Sequence, residues 1–265
     1  MEQPNKNIKL VSNKKSRVIL PNILTLIGVC IGLTSIKFAF DGKFELSIIA
    51  VIVAGIIDGL DGRIARLIQG TSKVGKELDS LTDVISFGVA PAFIMYFWSM
   101  SEIGRLGWLI SLIYVVCVAL RLARFNVNSE AEPSWRDNFF EGIPSPAGGI
   151  LVLMPLIYSF SEIQIFKPNY QIVVPALFIL IAILLISKVP TYSLKKIVVP
   201  RSTTIFLLFV VVLFFGLLLI YTFNTLIISG ILYLIIIPVS SVHFLLIKKN
   251  NKIKDDSTDH HEDVL

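Results

Sequence analysis

The stretch DGLDGRIARLIQGTSKVGKELDSLTD, residues 58–83, lies between LSIIAVIVAGII (46–57) and VISFGVAPAFIMYF (84–97). Both flanks are apolar enough to sit in lipid, yet the stretch between them carries Asp58, Asp61, Asp79 and Asp83. On insertion scales one Asp at the centre of a membrane helix costs about 2.5–3.5 kcal/mol, so four of them, buried without partners, would cost roughly 10 kcal/mol or more. A sequence that keeps them there needs something to compensate them.

The rest of the chain leaves no doubt about the surrounding medium. Of 265 residues, 54% are hydrophobic and 16% charged, and the mean hydropathy is +0.77. These values exclude the soluble globular class. A bilayer core needs about 20 apolar residues per helix, and eight runs approach that length: residues 18–40, 46–69, 79–100, 106–124, 146–162, 170–188, 203–222 and 225–247. The expected fold class is all-α and polytopic, with about eight transmembrane helices. The basic, polar lead of residues 1–17 is long for a signal peptide and no small-residue cleavage site follows Leu20, so the first apolar run is expected to stay.

Lys and Arg set the expected orientation. With the N-terminus in the cytoplasm, all but four of the 24 basic residues fall on the inner side, the exceptions being Lys37, Lys43, Arg105 and Lys167. Both termini and the carboxylate stretch are therefore expected to face the cytoplasm. The net charge of +5 follows mostly from this bias. It points to anionic headgroups rather than nucleic acid, for which there is no basic groove with interleaved aromatics. Cys30 and Cys117 lie in separate apolar runs without metal-ligand or redox spacing and are read as packing residues. The polar tail, residues 248–265, is expected to be disordered, His260 and His261 included.

Within the opening stretch, helical geometry places Asp58, Asp61 and Ala65 within about 60° of one another, with Gly62 beside them. Gly70 is the expected break, and Thr71 or Ser72 can cap the next helix. On that helix Gly75, Asp79 and Asp83 follow at i, i+4, i+8. A short hairpin makes the two helices antiparallel neighbours with facing acidic stripes. Four facing carboxylates cannot all ionise in a dry site, and a divalent cation removes the conflict. All-oxygen ligands suit Mg²⁺ or Mn²⁺, with Ca²⁺ also allowed, and argue against Zn²⁺. Gly62, Ala65 and Gly75 leave room for a bulky ligand between the helices, and Arg66 offers a fork for phosphate oxygens. The chemistry indicated is phosphoryl transfer at a membrane surface.

Written as D-x2-D-G-x2-A-R-x8-G-x3-D-x3-D, the stretch resembles the signature of the CDP-alcohol phosphatidyltransferase family at every fixed position. LDSLTDVISFGVAPA (78–92), LRLARFNV (120–127), FFEGIPSPAGG (139–149) and VPTYSLKK (189–196) resemble its phosphatidylserine synthase branch. The resemblance implies a six-helix catalytic membrane domain over residues 18–200, preceded by the basic segment 1–17. Two additional helices would follow over 201–247, then the tail 248–265. It also implies a homodimer, CDP-diacylglycerol as donor, L-serine as acceptor, and residence in a bacterial inner membrane.

By the same resemblance, Asp58, Asp61, Asp79 and Asp83 would be metal ligands, and Asp83 would also be the base for the attacking hydroxyl. Asn22 and Thr25, in PNILT (21–25), would help Gly62, Ala65, Arg66 and Gly75 hold the nucleotide, although at a membrane entrance they also read as interfacial caps. For the acceptor, Arg121 and Arg124 stand at i, i+3 with Asn126 just beyond; one Arg could grip a carboxylate bidentately, and both also suit lipid phosphates. Ser145, between Pro144 and Pro146, reads as a pocket residue or as a structural turn. Asp137 and Glu141 near the same mouth balance the arginines and favour a zwitterion over a dianion. Glycerol 3-phosphate or an inositol phosphate is the alternative acceptor, and a cation-coupled transporter is the reading from a different class. No H-x-K-x4-D pattern supports a phosphohistidine route.

Overall fold

The computed structural model describes residues 14–68, 70–128, 139–192 and 201–262. The chain is an all-α polytopic membrane protein. Helices α1 (Lys14–Phe40) and α2 (Phe44–Leu67) form a tight hairpin through Gly42, whose φ of 74° is a left-handed value that favours glycine. Helix α3 (Lys73–Asp83), a π-helical turn (Val84–Val89) and α4 (Ala90–Trp98) run on as one rod. After a 3₁₀ turn, α5 (Arg105–Asn128) follows, then α6 (Ser145–Phe160), α7 (Tyr170–Ile186), α8 (Arg201–Ile220) and α9 (Thr222–Glu262). Each of the eight apolar runs becomes one helical rod.

Among the described residues, four helical segments are long and apolar enough to cross a membrane by length and composition: 19–40, 73–98, 105–127 and 222–246. Helices α6, α7 and the 205–220 part of α8 are shorter apolar helices. Helix α2 is interrupted in its apolar character by Asp58, Asp61, Arg63 and Arg66, all in its C-terminal half. That polar end is where the site forms.

The core is assembled from α2, α4, α5, α6 and α7, around fully buried Ile48, Met95, Tyr114, Leu153, Leu156 and Phe178. Helix α8 instead exposes nearly every apolar side chain from Ile205 onward, Ile205 at 78% and Phe206 at 66% among them, as a lipid-facing helix does. The π turn behind the core has a local cause. Pro91 has no N–H to offer to the carbonyl of Phe87, four residues earlier, and the Tyr114 hydroxyl donates to that carbonyl instead at 2.7 Å. Gly88 and Gly149 allow the close approach of α5 and α6 to this turn. A Cβ on Gly88 would lie 3.2 Å from Val118 Cγ1, and one on Gly149 would lie 3.1 Å from the Phe87 backbone.

Three expectations change. Helix α2 ends at Leu67 rather than at Gly70, and the Gly70 N–H closes back onto the Ala65 carbonyl at 2.8 Å. A short antiparallel ribbon pairs β1 (Phe139–Glu141) with β2 (Pro190–Tyr192) in an otherwise helical chain. Helix α9 continues through Glu262, across most of the segment expected to be disordered. The physical reason is that extending an existing helix needs no new nucleation, so a polar sequence can follow an apolar one in the same rod.

Candidate active site

Asp58 and Asp61 project from the last turns of α2, Asp79 and Asp83 from α3. Ser72 positions α3: its hydroxyl accepts the Gly75 N–H at 2.9 Å as the N-cap, which fixes where the helix starts and therefore which way Asp79 and Asp83 face. One carboxylate oxygen from each of Asp58, Asp61 and Asp79 falls within 4.8 Å of the other two. Asp83 is outside this triple but within electrostatic reach of Asp58, Asp79 and Arg121.

The triple has oxygen atoms that a cation could use. Asp61 is only 2% exposed, and its Oδ1 is buried without a hydrogen-bond partner, as are Oδ1 of Asp58 and Oδ1 of Asp83. Buried carboxylate oxygens left unpaired are costly and rare. The positive charge that acts on Asp79 is that of Arg66, one helix away. Hard oxygen donors with free lone pairs fit a divalent ion of the Mg²⁺ or Mn²⁺ kind. The cluster could therefore hold a metal ion.

A cleft of about 220 Å³ opens at two members of the triple, Asp61 and Asp79. It is lined by Asn22 and Thr25 from α1, by Asp61, Gly62, Ala65 and Arg66 from α2, and by Gly75 and Asp79 from α3, with Gly70, Thr71, Ser72 and Lys76 closing the rim. All six residues expected to hold a nucleotide thus surround one opening. Thr25 also touches the acidic cluster: its hydroxyl is 2.5 Å from Asp61 Oδ2 and 3.0 Å from the Pro21 carbonyl, and its single proton serves one of them at a time. A Cβ on Gly62 would meet no heavy atom within 4 Å, whereas one on Gly75 would meet Asn22 Oδ1 at 2.9 Å. Gly62 therefore keeps space open, and Gly75 lets α1 and α3 approach. Sequence reasoning does not single out Thr71, Ser72 and Lys76 as cleft residues; they occupy unspecified positions inside the signature, the first two just before α3 and Lys76 in its first turn.

The four residues expected to bind an acceptor divide into two groups. Arg121 is buried on α5 and donates from Nη1 to Ser145 Oγ at 2.6 Å, within electrostatic reach of Asp83. Arg124 donates to the Ile186 carbonyl at 2.7 Å, at the C-terminus of α7. Asn126 donates to Ser80 Oγ at 2.9 Å, which ties α5 to α3. The structure thus gathers Arg121 and Ser145 beside Asp83, while Arg124 and Asn126 hold helices together. Asp137 and the side chain of Glu141 lie outside the described residues.

Two helices, α2 and α3, thus present this carboxylate set beside a cleft with glycine in its lining. Residues 18–185 match the family model of the CDP-alcohol phosphatidyltransferases, and the chain belongs to that family. It is 44% identical over 137 residues to a CDP-diacylglycerol–serine O-phosphatidyltransferase of Mycobacterium leprae, a match spanning 51% of this chain and 45% of that protein. The enzyme of the same name from Helicobacter pylori (strain 26695) is 36% identical over 179 residues, covering 68% of this chain and 74% of the relative. An archaetidylserine synthase of Methanothermobacter thermautotrophicus is 33% identical over 150 residues, covering 54% and 60%. The chain spans about half the length of the mycobacterial relatives it matches. Family membership leaves the transporter reading without support.

Proposed function

We propose that this chain transfers the phosphatidyl group of CDP-diacylglycerol to L-serine, giving phosphatidylserine and CMP. The observation that carries the reading is the convergence of Asp58, Asp61 and Asp79 at a cleft lined in part by Arg66, with Asp83 and buried Arg121 within electrostatic reach of each other. The names of the relatives support serine as acceptor.

In this scheme Gly62, Ala65 and Gly75 admit the nucleotide, Asn22 and Thr25 border it, and Arg66 binds phosphate oxygens. Asp58, Asp61 and Asp79 would hold a divalent cation, with Asp83 within reach of the same site; when bound, it neutralises the diphosphate and the charge that develops on CMP. Asp83 takes the proton of the serine hydroxyl. The serine oxygen forms a bond to the phosphorus that carries the lipid, the bond from that phosphorus to the CMP oxygen breaks, and CMP leaves with the electron pair. Asp83 then returns its proton to solvent. Arg121 binds the serine carboxylate.

The distribution of basic residues supports a cytoplasmic site and cytoplasmic termini in a bacterial inner membrane. We take residues 18–200 as the catalytic unit and α8 and α9 as additions to it, and the resemblance to the family supports a homodimer. The deciding experiment is CMP release by purified protein given CDP-diacylglycerol and, in turn, L-serine, glycerol 3-phosphate and inositol phosphate. Serine-dependent release with formation of phosphatidylserine is expected. Release with glycerol 3-phosphate and none with serine would overturn the acceptor while leaving the donor chemistry standing.

A further inference from the structure

Helix α9 lies wholly beyond the part of the chain that matches the family model, residues 18–185. It packs against α6, α8 and β2. Leu226, Gly230, Tyr233, Ile237 and Ser240 recur along it at helical spacing, and Tyr233 is the one large polar side chain among them. Gly230 sets the distance: a Cβ there would stand 2.5 Å from Met154 Sδ, so glycine lets α9 approach α6 closely. Tyr233, one turn later on the same face, is thereby brought within electrostatic range of Arg121.

Two buried polar atoms of this interacting pair lack hydrogen-bond partners. Arg121 donates from Nη1 to Ser145 Oγ, but its Nε is buried with no hydrogen-bond partner, and the Tyr233 hydroxyl is buried in the same condition. Leaving buried donors unpaired costs roughly 1–3 kcal/mol each, and more on a charged group. The nearby Asp83 Oδ1 is a third unpaired atom. A guanidinium N–H, a phenol and a carboxylate, gathered and unsatisfied, are complementary to the carboxylate and hydroxyl of a small amino acid.

We propose that Tyr233 is a specificity-determining residue for the acceptor, its hydroxyl donating to the acceptor carboxylate together with Arg121 Nε. The inference rests on the reading of serine as acceptor, and it assigns α9 a place in the site rather than an accessory role. Phenol and guanidinium both donate, so an acceptor with a neutral hydroxyl where serine has its carboxylate offers them a weaker, uncharged partner and is selected against.

Tyr233→Phe removes only the hydroxyl, and the test compares steady-state kinetics of this variant and the wild type with L-serine and with serinol, which has an alcohol in place of the carboxylate. A hydrogen bond to a charged group of ordinary strength corresponds to about a tenfold rise in serine KM. Selectivity for serine over serinol should fall by a similar factor, with the KM for CDP-diacylglycerol within about twofold of wild type. Unchanged serine KM and unchanged selectivity would overturn the inference alone. So would equal rises in donor and acceptor KM, which mark a packing role. A wild-type protein that releases no CMP with serine would overturn the acceptor assignment, and this inference with it.

Discussion

Gly62 offers the most discriminating test of the donor cleft, because the structure separates its effect on folding from its effect on binding. A Cβ at Gly62 meets no heavy atom within 4 Å, so an alanine there displaces no part of the protein. In a helix interior, replacing glycine by alanine gains roughly 0.5–1 kcal/mol, so Gly62→Ala should hold or raise the thermal midpoint in detergent. The space that a longer side chain enters is the cleft of about 220 Å³ between α1, α2 and α3. Gly62→Leu should therefore fold, retain metal-dependent stabilisation, and raise the KM for CDP-diacylglycerol at least about tenfold, a loss of about 1.4 kcal/mol. The serine KM should change little, since neither Arg121 nor Ser145 lines this cleft. The assay pairs a thermal-shift measurement with CMP release at varied donor concentration. A well-folded Gly62→Leu enzyme with wild-type donor KM would refute the assignment of this cleft to the nucleotide.

Asp79→Asn and Asp58→Asn should each abolish turnover and remove the stabilisation by added Mg²⁺ or Mn²⁺, read by thermal shift with and without EDTA; full activity in EDTA-stripped protein would exclude a metal role for the cluster. Asp83→Asn should lower kcat by about 10²-fold, the usual loss on removing a positioned base. Its donor binding, measured by titration with CDP-diacylglycerol, should be largely kept, and equal losses of rate and donor binding would make it an ordinary ligand. Tyr114→Phe leaves the Phe87 carbonyl without its donor and should destabilise the protein by about 1–3 kcal/mol, seen as a lower thermal midpoint with the KM values of both substrates unchanged.

The parts of this protein that could be read from its sequence are those fixed by period and by cost. Apolar run lengths mark the eight rods because lipid demands internal hydrogen bonding along each one. The shared face of Asp58, Asp61 and Ala65 follows from helical geometry, and the structure sets Asp61 and Ala65 around one cleft with Asp79 and Gly75. The signal fails where a residue's role depends on a distant element. Arg121 and Arg124 are equivalent in sequence, three residues apart on one helix, yet α6 meets the first through Ser145 and the end of α7 meets the second through Ile186. Tyr233 carries no local mark, because one aromatic in an apolar helix is ordinary packing until α6 and Arg121 are placed beside it. The π turn is similar: Pro91 announces a missing donor, but only the tertiary fold supplies Tyr114.

The four carboxylates in a membrane helix pair are compensated unequally, and the inequality separates structure from chemistry. Thr25 satisfies one oxygen of Asp61, the charge of Arg66 acts on Asp79, and that of Arg121 acts on Asp83. Two of these partners come from other helices, so the acidic hairpin cannot be satisfied until α1 and α5 have packed around it. What remains unpaired is Oδ1 of Asp58, Asp61 and Asp83, oxygens that the fold buries but does not satisfy. If the cluster were only a structural polar contact, α2 and α3 could accommodate asparagine or serine at these positions at lower cost, because a neutral side chain avoids the mutual repulsion. Three unsatisfied carboxylate oxygens in one hairpin are the lone pairs that the proposed divalent cation would need. In the proposed scheme the unpaired oxygens would serve the cation, and the cation's positive charge, not the carboxylates themselves, would complement the negative charge that develops on the leaving group.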